Sequence, residues 1–142
     1  MTPKRAPSIV HSYTSFFEYE CCGDPVAVND VLDVDHIPMD RRDTAICDLM
    51  PLDWYVGHHA LGGPDDPGTR SRVRVKRLWE VYLHYRFDLA RDAYVPIPGS
   101  GSLREVPAMR FGAWDDDMAV AGADYRPTSP QGWIMRLEQF GS

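Results

Sequence analysis

The sequence predicts a mainly β protein: a small single-domain β-barrel or sandwich with long loops and at most one or two short helices. Three observations carry that expectation. Residues 72–89, RVRVKRLWEVYLHYRFDL, alternate apolar and polar side chains with the period of an extended strand. Several short runs of β-branched and aromatic residues are separated by Gly/Pro turn chemistry. Sustained helical periodicity is scarce, and no repeats or heptads occur.

The elements follow in chain order. Residues 1–7, MTPKRAP, carry two prolines and two basic residues and read as a flexible N-terminal arm, which leaves 8–142 as a single β-rich domain. IVHSYTSFFEYE, residues 9–20, has no Gly or Pro and reads as a strand. Cys22-Gly23-Asp24-Pro25 is a turn. Val26, Val28 and Val31 lead into the next strand, and Asn29 suits a bulge or tight turn because Asn visits positive φ cheaply. Residues 35–69 are the least regular stretch, with one short helix expected over Arg41–Met50, capped by Asp40.

In residues 72–89 the odd positions Val73, Val75, Trp79, Val81, Leu83, Tyr85, Phe87 and Leu89 fall on one side. Arg77 and Leu78 break the pattern, one on each face, so a bend or bulge is expected there. Prolines 96 and 98 confine YVPIPGSGSL to an edge. PAMRFGAW, residues 107–114, suggests a short strand, 115–131 a loop, and GWIMRLEQF a closing strand with Trp133, Met135 and Leu137 on one face.

The chain has 142 residues, enough for one domain with a true core. Its formal net charge of -6 argues against a general nucleic-acid binder. No segment approaches the roughly 18 apolar residues of a membrane span. The N-terminus lacks an apolar signal core, so a cytoplasmic location is expected. The cysteine count, three, is odd and fits a reducing compartment.

Candidate sites follow from residue chemistry. Cys21, Cys22 and Cys47, with His58 and His59, are the residue types of a zinc site, but adjacent cysteines lack the Cys-x2-Cys geometry; core packing explains them better, and no cofactor is expected. His58 and His59, beside Trp54 and Tyr55, and Asp53 are the candidate acids or bases. His11 and His36 lie in less suggestive surroundings. GSGS, residues 99–102, lacks the strand and helix context of a phosphate loop.

Arg70, Arg72, Arg74 and Lys76, with Tyr82, His84 and Arg86 further along, form a basic stripe that reads as a solvated strand face or an anion surface. Trp79, Tyr85, Phe87, Trp114 and Trp133 would line a small-molecule pocket in a closed barrel, or simply fill it.

ECCGDPVAV, GHHALGG, YVPIPGSGSL and the closing GWIMRLE together resemble an uncharacterised actinobacterial family of small domains. Its pattern opens with Glu-Cys-Cys-Gly, an apolar residue, then Val-Gly-Asp-x-Val. This chain departs at Asn29, where the pattern has Gly, and at Val26, where it often has Phe. The resemblance implies a shared β-rich fold and supplies no activity.

Two roles are therefore carried forward. One is a β-barrel binding module for a small molecule or protein partner, compatible with a monomer or a homodimer. The other is a compact metal-independent enzyme, a cyclase, isomerase or hydrolase, with an aromatic-lined pocket.

Overall fold

A computed structural model describes residues 8–16, 18, 24–57, 68–110 and 130–140. The elements are β1 (Ser8–Ser15), β2 (Val31–Pro38), α1 (Thr44–Cys47), β3 (Trp54–Gly57), β4 (Thr69–Tyr82), β5 (Tyr85–Asp88), β6 (Ala93–Pro96), β7 (Ser102–Glu105) and β8 (Gly132–Gln139). The expected β class holds, and the architecture is a closed five-strand barrel.

The wall runs β2-β3-β1-β8-β4, and β4 pairs back onto β2 to close it. Every contact is antiparallel except β1 with β3. Closure leaves these strands no open edge along their shared length. Taken in the order β4, β8, β1, β2, β3, the five strands have the connectivity of the OB fold, a Greek-key barrel, with the parallel contact between third and fifth. Here that circle is cut between β8 and β1 and joined between β3 and β4, a circular permutation.

Strand β4 does two jobs. One side pairs with β8 along Val73–Val81. The other pairs with β2 over Thr69–Arg74 and with β7 over Trp79–Tyr82. Between the halves the β8 register shifts, from Val75 to Arg77. One extra residue reverses which face each later side chain takes. Before it, Val73 and Val75 point into the barrel; after it, Leu78 does, while Trp79 and Val81 turn outward. This corrects the expectation that all the odd residues share one side. Arg77 and Leu78, which break the alternation, mark the change of phase.

The bulge divides the apolar residues into two clusters. Inside the barrel lie Val34, Val56, Val73, Val75, Leu78, Trp133, Met135 and Leu137, with Val26, Val106 and Met109 plugging the space between strands. Outside, Tyr13, Trp79, Val81 and Ile134 are covered by Met39, Ile46 and Leu52 of the β2–β3 connection and by Leu83. Val73, Val75, Leu78, Trp133, Met135 and Leu137 are all at 0% exposure. Each such apolar side chain contributes about 1.5–3 kcal/mol on burial, so the interior is a solid core.

Local details depart from expectation in several places. The strand expected over 9–20 ends at Ser15, and the 72–89 run breaks at Leu83-His84 into β4 and β5, which lie in different sheets. The helix is a single turn, Thr44–Cys47, entered from Asp43 rather than Asp40. Asp40 instead accepts the Arg42 backbone N–H at 3.0 Å and its guanidinium at 3.0–3.1 Å, an Asx turn that competes with helix start. Within 35–69, the end of β2 and all of β3 are regular strand. The second strand begins at Val31, because Val26 is drawn into the core and Ala27 forms an isolated bridge to Ala108. Asn29 does take positive φ, 79°. Among the described residues, strand β6 pairs only with β5, an edge position that suits its Pro96. The arm 1–7 and the turn at Cys22-Gly23 lie outside the described residues.

Candidate functional site

Polar side chains gather at both ends of the barrel. At one end the last inward positions of three strands converge. Ser71 of β4 lies opposite Val34, and Gln139 of β8 lies opposite Val73, so both follow the inward rows. His36 continues the Leu32–Val34 row of β2. Its Nε2 lies 2.8 Å from Ser71 Oγ, and Gln139 Nε2 donates to the same oxygen at 3.4 Å. The imidazole stacks on Trp54 of β3, with ring centroids 3.5 Å apart and planes 9° from parallel. Burial pushes the His36 pKa below its ordinary value, against the opposing pull of Asp35, so the ring favours its neutral form.

At the other end sits Glu80, 1% exposed, directly across from Trp133. Its carboxylate accepts the Arg110 guanidinium at 3.1 Å and the Tyr82 hydroxyl at 3.0 Å. Beneath it, Phe16 stacks on Trp133 at 5.9 Å.

A third feature lies on the outside. An open cleft of about 220 Å³ is lined by Tyr13, Ile37, Pro38, Met39, Asp40, Asp43 and Tyr55. The Tyr13 and Tyr55 rings, side by side on β1 and β3, make a corner at 6.1 Å and 54°. Their hydroxyls are engaged elsewhere. Tyr55 Oη meets Ser15 Oγ at 3.1 Å and donates to Glu18 at 3.3 Å, and Tyr13 donates to the Gln131 carbonyl at 3.4 Å. Burial raises the pKa of both phenols, so they stay protonated. Burial also raises the Asp43 carboxyl.

The sequence-based candidates scatter across these features. Trp133 is inside the barrel, while Trp79 lies on the outer face beneath the Arg77 guanidinium, 4.8 Å from its ring centroid. Tyr85 packs against the same outer cluster and donates to Gln131 Oε1 at 2.9 Å. Phe87 meets Tyr94 edge-on across the β5–β6 hairpin at 5.3 Å. Asp53 is exposed and accepts the His11 backbone N–H at 3.0 Å. Trp114, His58, His59, Cys21 and Cys22 lie outside the described residues.

Cys47 is half-buried in α1, and burial pushes its thiol up, away from the reactive thiolate. Among the described residues, no three His, Cys, Asp or Glu side chains gather as metal ligands.

The basic stripe is divided in the same way. Arg70 pairs with Asp35 at 3.9 Å, Lys76 with Glu138 at 3.7 Å and Arg77 with Glu105 at 2.7 Å, while Arg74 lies over Phe140. Tyr82, expected on the same face, follows the bulge and turns to Glu80. The stripe is mostly a charge-balanced outer wall.

Sequence reasoning gave His36 little weight and missed Ser71 as its partner, because 35 positions separate them in the chain. One local signal exists: Leu32, Val34 and His36 form a period-two row in which a histidine takes the third inward place.

The fold and these sites define a closed β-barrel domain with a filled interior and polar ends. Comparison with protein-family models, curated proteins and solved structures gave no match to this chain. No helix among the described residues is long and apolar enough to cross a membrane.

Proposed function

We propose that the chain is a binding module whose ligand seats in the cleft between β1, β3 and the β2–β3 connection. The observation that carries this reading is where space remains. The barrel interior is closed to solvent at its central positions, whereas the outer surface holds a concavity of about 220 Å³ with two aromatic walls. Ile37, Pro38 and Met39 supply apolar contact, and Asp40 and Asp43 supply polar groups, the usual mixture of a ligand site. The volume lies below the roughly 300–1,000 Å³ of drug-sized pockets. It suits a small molecule or one projecting side chain of a protein partner.

A fragment screen read by NMR tests the reading. Binders should shift resonances of Tyr13, Met39 and Tyr55, and Tyr55→Ala should weaken them at least tenfold while leaving the fold intact. Hits that perturb other faces, or that bind Tyr55→Ala unchanged, would overturn it. The enzyme reading is favoured by a different observation, the contact between Ser71 and His36.

A further inference from the structure

We propose that Ser71 and His36 are a nucleophile–base pair at the end of the barrel, a site for acyl transfer from small uncharged esters. The site is separate from the outer cleft and does not depend on it.

Geometry comes first. A serine acts as a nucleophile only when a base stands within hydrogen-bond reach, and 2.8 Å between Ser71 Oγ and His36 Nε2 meets that requirement. Neither residue sits on a loop. His36 pairs with Thr69 and Val34 with Ser71 across the β2–β4 ladder, so the backbone fixes their separation. The stack on Trp54 holds the imidazole plane, the part that a third polar group plays in many such sites.

The hydrogen-bond directions are also suitable. Gln139 donates an amide N–H to Ser71 Oγ at 3.4 Å. The serine's own proton is then left to point at Nε2, which accepts it when the imidazole carries its hydrogen on Nδ1. Burial keeps the ring in the neutral form that a base requires. Ser71 is half-buried, while Val73, the next residue inward, is at 0% exposure. The pair therefore sits at the margin of a dry core, where a developing charge is poorly screened and a fixed donor counts for more.

The reaction balances without a further reactant beyond water. Ser71 Oγ forms a bond to the ester carbonyl carbon as its proton passes to His36 Nε2. The carbonyl π pair moves onto oxygen, beside the Gln139 amide. Collapse breaks the bond to the alcohol, which leaves with the proton from His36. Water, deprotonated by the same imidazole, then releases the acid and restores Ser71. Because the interior is filled, the acyl group must be short.

The test uses the full chain and two probes, diisopropyl fluorophosphate and 4-nitrophenyl acetate. The first forms an Oγ–P bond and expels fluoride. A single adduct should map to Ser71, disappear in Ser71→Ala and in urea-unfolded protein, and form about 100-fold more slowly in His36→Gln, at the lower end of general-base assistance. Release of 4-nitrophenol should fall in parallel. Gln139→Ala should slow both, by about tenfold, with Tm retained. Absence of an adduct on Ser71 in the folded wild type would overturn the proposal. So would an adduct forming equally fast in His36→Gln, which would leave the pair only a polar closure of the barrel. The peptide map of the wild type decides the first point even where a variant does not fold.

Discussion

The two ends of the barrel are closed by opposite means. One end buries a charge: Glu80, 1% exposed, depends on Arg110, whose side chain is 59% exposed, and on Tyr82. The other uses neutral groups, His36, Ser71 and Gln139, stacked on Trp54. A buried carboxylate without its cation is unstable, so the charged end is specified by structure and has little freedom for chemistry. The neutral end holds no resting charge that needs a partner, so Ser71 can give its proton to His36 as it bonds to a substrate. The difference teaches that exposure and polarity alone do not rank a site; what matters is whether its groups can change state at small cost.

Substitutions sharpen that contrast. The largest effect belongs to Trp133, the floor of the charged end. Trp133→Ala should cost about 3–5 kcal/mol by urea denaturation, against about 1–2 for half-buried Trp54→Ala at the neutral end. Comparable losses would mean the ends are not packed differently.

Next is Arg110→Ala, which removes the cation from Glu80. Water replaces part of the contact because Arg110 is largely exposed, so about 2 kcal/mol is expected, whereas Ser71→Ala should stay within about 1 kcal/mol. Equal values would contradict the distinction between charged and neutral closure.

Thr14 is at 0% exposure, and its hydroxyl, like that of Ser12, has no hydrogen-bond partner among the described residues. Thr14→Val keeps the shape and removes the stranded oxygen. It should leave stability unchanged or raise it by up to about 1 kcal/mol. A loss of more than that in thermal denaturation would show that the hydroxyl is satisfied in solution.

The smallest effect is a pH slope. His36 and His11 both have lowered pKa values in the folded protein, each chiefly through burial. Their stabilising contribution is complete above the ordinary histidine value, about 6.5, and is lost as pH falls through the folded values. Stability should therefore decline from pH 7 to pH 5, and His36→Gln should flatten part of that decline. An unchanged slope in His36→Gln would assign it to other groups.

Much of the fold is legible in the residues. The β8 run has a clean apolar pattern, and its Trp133–Met135–Leu137 row is inward as its spacing implies, whereas β1 buries Ser12 and Thr14 and exposes Ile9. Asn29 announces its own positive φ. Strand β3 is harder to read, because WYVG is too short to show a period and becomes a strand only by pairing with β1 and β2.

The bulge is visible as a fault at Arg77 and Leu78, but its consequence is not. A phase change moves Trp79 from the inner to the outer face, and only the neighbouring register shows it. The candidate sites were less legible still. His36 and Ser71 meet through strand pairing, and the cleft joins β1, β3 and the connection after β2, so no contiguous motif encodes either.

The account rests on the shift at Val75–Arg77 turning Leu78 and Glu80 inward and Trp79 outward. Side-chain NOEs in solution test this most directly. The structure predicts contacts from Leu78 methyls to Met135 and from the Trp79 indole to Ile134. Contacts from the Trp79 indole to Val73, Val75 and Leu137 would contradict it.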